Sequence, residues 1–432
     1  VSALARYYLA KGHQVSGSDL VSSEITRALE KLGAKIFIGK HRTKNVPKDA
    51  NLVIYSPAID ENNPELLEAR THNLKTLSYP QALGELTKKH FTIAVCGSHG
   101  KSTVAAMIGL ILTRAKLDPT VILGTKLKEF GDSNCRVGKS KYLVIEADEY
   151  KESFLNYLPK IVVLLNIEYD HPDYFKNLRH YIFAYEKFLT RLPKDGILVA
   201  NKAEKNVRKI LEKKIVKNVF LYSLKQKEAK RIKKILKIPG EFNVSNALAA
   251  LTLARILKIP DRVSFKVFSQ FKGSWRRFEI KRVKIGEKKI TIVHDYGHHP
   301  TQLRETLRAA REKFPKRKIF CVFQPHQYQR TYFLWKDFVK ALREGASFVD
   351  QLILTDIYTV AGREKREIMK KISAQKLVKA TKTKKVIYVK KEKIFDWLKE
   401  KLEGREVVIF MGAGDIYNLV SSATSAKTAS FS

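Results

Sequence analysis

The residues Cys96-Gly97-Ser98-His99-Gly100-Lys101-Ser102-Thr103 carry the clearest chemistry in the chain. Glycines let a backbone wrap an anion with its N–H groups, and the start of a following helix adds positive potential. A lysine after the second glycine reaches the outer phosphates, and the next hydroxyl can hold Mg²⁺. Gly97 to Thr103 therefore reads as a nucleoside triphosphate site. Val95 stands where the general phosphate-loop pattern has its first glycine, so the loop is a shorter Gly-x-x-Gly-Lys-Ser. The competing reading is a strand–turn–helix corner with a chance lysine. It is disfavoured because strand, loop, lysine, hydroxyl and helix fall in order. On this reading Lys101 serves phosphates and no core, so Lys101→Ala is expected to leave the fold intact.

Other polar clusters follow apolar runs. Glu146-Ala147-Asp148-Glu149 ends one, and Glu146 is best placed to complete Mg²⁺ coordination; an acidic helix cap is the alternative. Asn166-Ile167-Glu168-Tyr169-Asp170-His171 ends another, where His171 fits a metal, a phosphate or a purely structural role. Asn243 and Asn246 either cap a helix or bond adenine edges. Arg276-Arg277 suits a phosphate clamp at a domain seam, or a plain surface pair. Asp295-Tyr296-Gly297-His298-His299-Pro300 and Phe323-Gln324-Pro325-His326 also follow strand-like runs, where open sheets bind ligands.

Strands and helices must alternate to position these groups, which points to α/β domains with mainly parallel sheets. Three blocks are expected: a Rossmann-like domain over 1–89, a phosphate-loop domain over 90–276 and a second Rossmann-like domain over 277–420, with 421–432 a disordered tail. The first block has a helix over 1–11, then a strand over 13–16 ending at Gly17-Ser18-Asp19. That is the second half of a nucleotide-binding βαβ unit, so a first strand and glycine turn are expected upstream. A helix is expected over 246–257, and a hairpin over 278–283 and 289–293 about Gly286-Glu287.

Composition narrows the class. Hydrophobic residues make up 44% and charged residues 29%, as in globular proteins, and no apolar run reaches the length needed to span a bilayer. Cys96, Cys135 and Cys321 lack metal-ligand spacing, which favours a reduced, cytoplasmic protein. The net charge of +39 raises nucleic-acid binding, but the lysines are spread along the whole chain. A solvated basic surface that steers an anionic substrate is the preferred reading, with no nucleic-acid partner.

Taken together, the motifs resemble those of the Mur ligases of peptidoglycan synthesis over about residues 1–420. Glu146 to Glu149, Asn166 to His171, Asp295 to Pro300 and Phe323 to His326 all fit, in order. The resemblance implies an ATP- and Mg²⁺-dependent amide ligase acting through an acyl phosphate, best matched to the member that joins L-alanine to UDP-N-acetylmuramate, as a monomer or homodimer. It implies ATP contacts from Gly97, Ser98, His99, Gly100, Lys101, Ser102, Thr103, Asn243, Asn246 and Arg277. It implies metal ligation by Ser102, Glu146 and His171, and catalysis by Lys101, Glu146, His171 and Arg277. Ser18 and Asp19 would meet the UDP-sugar; Tyr296, His298, His326 and Arg330 would surround the amino acid. Gln327 stands where the family usually has arginine and offers a neutral amide to the alanine carboxylate. The variant Glu-Ala-Asp-Glu-Tyr is also similar to the ligase that attaches a recycled tripeptide to the same sugar. A basic nucleic-acid-binding ATPase would share the phosphate loop but has no need of Asp-Tyr-Gly-His-His-Pro.

Overall fold

Continuous apolar runs build the interior of two large sheets. The computed structural model describes residues 1–285, 288–360 and 363–419. The first sheet has seven strands in the order Asn218–Tyr222, Ile197–Asn201, Ile161–Leu164, Phe91–Cys96, Tyr142–Glu146, Thr120–Leu127, Ser133–Arg136. Only the last strand is antiparallel to its neighbour. Val/Ile-rich strands such as Ile161–Leu164 are buried on both faces, as parallel sheets require. One face packs on the helices Lys101–Arg114 and Glu241–Ile256, the other on Leu178–Leu189.

The second sheet has six strands in the order Glu279–Ile285, Lys288–Asp295, Val407–Met411, Ile319–Phe323, Gln351–Leu354, Val386–Tyr388. The first pair is the expected hairpin, longer than its apolar pattern indicated; its turn at Gly286-Glu287 lies outside the described residues, as does the tail over 421–432. Every later pair is parallel.

The N-terminal block carries two two-stranded parallel sheets, Ser16–Asp19 with Lys35–Ile38 and Val53–Tyr55 with Thr76–Ser78. The first strand thus lies three residues beyond its expected place. Register decides it: Asp19 pairs with Ile38, whereas Val15 gives only a carbonyl to the Lys35 N–H. Leu4 and Tyr7 of the helix Ser2–Ala10, with Leu83 and Leu86 of Tyr79–Lys88, join the core beneath the seven-stranded sheet.

Candidate active site

The phosphate loop leaves the central strand Phe91–Cys96 between two neighbours. Val95 pairs with Glu146 on one side, and Cys96 with Leu164 on the other. This register delivers the acidic run and the Asn166–His171 run to the two flanks of one loop. Gly97 and Gly100 adopt φ of 138° and 90°. A Cβ on Gly100 would come within 2.5 Å of Asn246 Oδ1, so the position demands glycine. Asn166 braces the loop, accepting from Ser98 N at its carbonyl (3.1 Å) and from His99 N at its side chain (2.8 Å). The helix Lys101–Arg114 then begins with Val104 N bonding to Gly100 O, so its first-turn N–H groups face an incoming anion.

Lys101 donates from Nζ to Gly97 O and to Glu149 Oε2, both at 2.7 Å. Glu149 is buried, and its second oxygen accepts from Tyr181 at 2.7 Å. Burial works against the Lys101 ammonium, but Glu149, Asp148 and Glu146 outweigh it and raise its pKa. Burial likewise raises the Glu149 carboxyl, and Lys101 and His171 more than reverse this, holding it below the usual carboxylate range. Lys101 is therefore half of a buried ion pair. Its replacement by Ala would strand a buried charge, which corrects the expectation of an indifferent fold.

Ser102 Oγ donates to Glu146 Oε2 at 2.7 Å, and Gly124 N to Glu146 Oε1 at 2.5 Å. Burial raises the Glu146 carboxyl, only partly offset by these donors and by Arg277. A half-buried carboxylate beside a hydroxyl, short of positive charge, suits a hard cation with oxygen ligands. His171, at φ 55°, groups instead with Asp148 and Glu149, its Nε2 3.9 Å from Glu149 Oε1 and its Nδ1 buried without a partner.

A cavity of about 350 Å³ opens from this loop. His99, Gly100, Ser102 and Thr103 line it with Asn243, Asn246 and Arg277. The asparagines do not cap a helix that starts at 246. The helix runs Glu241–Ile256, its start set by Gly240 at φ 94°, whose carbonyl accepts from Asn243 N at 3.0 Å. Asn243 Nδ2 instead donates to Pro239 O at 2.7 Å. The arginine pair divides. Arg276 is buried and donates to Gly412 O at 2.7 Å, a structural role, while Arg277 faces the cavity with Tyr296 4.9 Å from its guanidinium.

The C-terminal sheet closes the site. Tyr296, His298, His326 and Arg330 gather at its strand ends: the His298 ring lies 5.6 Å from Tyr296 and 5.7 Å from His326. Arg330 Nη1 lies 3.0 Å from His326 Nδ1, and Arg330 Nε donates to Asp170 Oδ1 at 2.6 Å. Burial, then Arg330, drives the His326 pKa down to about 3 and holds His298 neutral. Gln327 is buried at φ 68°, its Oε1 without a partner, which removes it from the open site. Ser18 and Asp19 do not line this cavity; Ser18 donates to Glu65 at 2.7 Å and Asp19 accepts from Val21 N at 3.2 Å.

Several working residues were not singled out from the sequence: Glu149, Asp170, Glu168 and Gln302. Gln302 sits at the third position of the helix Pro300–Lys313. Its Oε1 accepts from His298 N (2.8 Å) and His299 N (3.1 Å), so its amide NH₂ faces His99 Nδ1 at 3.0 Å. His99 then carries its proton on Nε2 and donates to Glu168 Oε2 at 3.0 Å. The spacing of a capping box was the available signal.

Comparison with known proteins bears on this arrangement. Residues 95–254 match the Mur ligase middle domain, 1–91 the Mur ligase family catalytic domain and 276–414 the Mur ligase glutamate ligase domain. The chain belongs to the Mur ligase family. It is 40% identical to the UDP-N-acetylmuramate–L-alanine ligase of Acetivibrio thermocellus, over 97% of this chain and 92% of that one. The corresponding ligase of Clostridium tetani is 39% identical, over 96% and 94%. Among solved structures, the UDP-N-acetylmuramate-alanine ligase of Thermotoga maritima superposes with a TM-score of 0.77 at 26% identity, covering 100% of this chain and 97% of that one. In this Mur ligase, no helix among the described residues is long and apolar enough to cross a membrane.

Proposed function

We propose that this Mur ligase joins L-alanine to UDP-N-acetylmuramate at the expense of ATP. The observation that carries the reading is the pairing of Lys101 with Glu149 and of Ser102 with Glu146, where Ser102 lines a cavity together with Asn243, Asn246 and Arg277. The alanine-ligase names of its 36–40% identical relatives support the choice of amino acid over the tripeptide and nucleic-acid readings.

ATP lies with its adenine toward Asn243 and Asn246 and its phosphates on the Gly97–Thr103 loop. Ser102 and Glu146 would hold Mg²⁺, with His171 beside Asp148 and Glu149 as a second group of donors. The ion would supply charge neutralisation to the phosphate oxygens. An oxygen of the sugar carboxylate attacks the γ-phosphorus, the bond to the bridging oxygen breaks, and ADP leaves. The amine of alanine then attacks the acyl phosphate carbonyl, loses a proton, and expels inorganic phosphate. Lys101 and Arg277 offset charge moving between oxygens, so fixed electrostatics does most of the work. Tyr296, His298, His326 and Arg330 line the amine's approach from the C-terminal domain. Ser18 and Asp19 are assigned to the UDP-sugar on the N-terminal domain.

The experiment uses UDP-N-acetylmuramate labelled with ¹⁸O in its carboxylate. One label should appear in the phosphate released with L-alanine and ATP. Unlabelled phosphate would discard the acyl phosphate.

A further inference from the structure

A second cavity, of about 650 Å³, lies behind the linker that joins the central and C-terminal domains. Lys126, Lys128, Lys237, Lys272 and Lys313 stand around it, with Ser274 on its wall. Lys126 is already held by Glu24 at 2.8 Å. Lys313 reaches only the carbonyl of Lys237, at 3.5 Å. Lys128, Lys237 and Lys272 have no ion-pair partner among the described residues. Three acids share the walls, and Glu279 is taken up by Arg276 N (3.2 Å) and Lys281 (3.3 Å), leaving Glu129 and Asp132 against four lysines.

Ser274 lines the same cavity. It is 5% exposed, and its Oγ has no hydrogen-bond partner. That Oγ is closed to solvent as well as unpaired, so the groups the cavity offers a ligand are its lysine ammonium groups. Several ammonium groups around one cavity are chemistry that takes phosphate oxygens.

The cavity also touches the first one. Ile238, Gly273 and Phe278 line both. The linker between them turns through left-handed residues at Gly273 (φ 90°), Arg276 (φ 56°) and Phe278 (φ 50°), and carries Arg277 into the nucleotide cavity. A ligand against Ser274 therefore bears on the backbone that aims Arg277, whose N–H donates to the Ser274 carbonyl at 3.0 Å.

We propose that this lysine-rimmed cavity binds a small phosphate-bearing molecule, separate from the nucleotide, and that its occupancy sets the position of Arg277. The coupling to Arg277 rests on the ATP reading above; the binding itself does not.

The test titrates inorganic tripolyphosphate by calorimetry into the full chain saturated with Mg²⁺ and an ATP analogue bearing nitrogen between its β and γ phosphates. One additional site is expected at physiological salt. Lys128→Glu with Lys272→Glu, neither in the nucleotide cavity, should weaken it about tenfold or more while the analogue still binds. No heat in the saturated wild type, or binding indifferent to charge reversal, overturns the site. Binding with no change in the analogue's affinity overturns the coupling. Failure of the analogue to bind would count against the ATP reading alone, and the titration would then decide the site on the unliganded chain.

Discussion

Arg330 of the C-terminal domain donates from Nε to Asp170 Oδ1 of the central domain at 2.6 Å, and their side chains are 3% and 4% exposed. Burial alone would raise the Asp170 carboxyl, yet Arg330 and His171 hold it well below the usual carboxylate range. Two domains thus meet through a fully desolvated ion pair beside the proposed amino-acid pocket. Removing one partner of such a pair costs about 3–5 kcal/mol, because the other charge stays buried. Asp170→Asn should therefore lower the melting temperature and raise the Michaelis constant for alanine, and adding Arg330→Gln should recover part of the stability. A double-mutant cycle by urea unfolding checks this; strictly additive losses would mean the pair does not couple the domains.

Lys101→Ala should abolish turnover and also destabilise the chain, since Glu149 loses its cation. Adding Glu149→Gln should restore the melting temperature but not the activity. A melting curve unchanged in the single variant would contradict the buried pair.

Gln302→Glu keeps an oxygen for the His298 and His299 N–H groups but loses the donor to His99 Nδ1. His99 must then turn a lone pair on Glu168 or take up a second proton. The expected result is a near-normal melting temperature, a Michaelis constant for ATP raised several-fold and a displaced pH profile. An unaltered pH profile would leave Gln302 as a helix cap only.

Burial holds His294 and His299 neutral, each with its pKa lowered to about 4. Their contribution to stability is complete above the unfolded value of about 6.5. Below it the unfolded chain takes protons that the folded chain refuses, so stability falls toward pH 4, by up to about 1.4 kcal/mol per pH unit per histidine. Urea midpoints at pH 7.5, 6 and 5 should decline, less so in His294→Gln. A flat series over this range would show that both rings take up protons in the fold as readily as in the unfolded chain.

Much of the architecture was legible because its signals are local. The loop Gly97–Thr103 sits between an apolar strand and a helix, and its meaning survives without tertiary knowledge. The acidic run was legible as a strand end, but the division of labour within it was not. Glu146 faces Ser102 and Glu149 faces Lys101 only because Val95 pairs with Glu146 in the sheet. Asn243 was misplaced as a possible cap because a glycine with positive φ started the helix earlier. Asp170, Glu168 and Gln302 act across a domain seam, through contacts 160 and 203 residues apart for Asp170 and Gln302, and no periodicity reports such a meeting.

The central claim is the choice of reaction, and phosphate release from ATP tests it most directly. With UDP-N-acetylmuramate and Mg²⁺ present, L-alanine should drive steady release of one phosphate per UDP-N-acetylmuramoyl-alanine formed, while L-alanyl-γ-D-glutamyl-diaminopimelate drives none above background. Release stimulated by the tripeptide and not by L-alanine, or release without the sugar, would contradict the account.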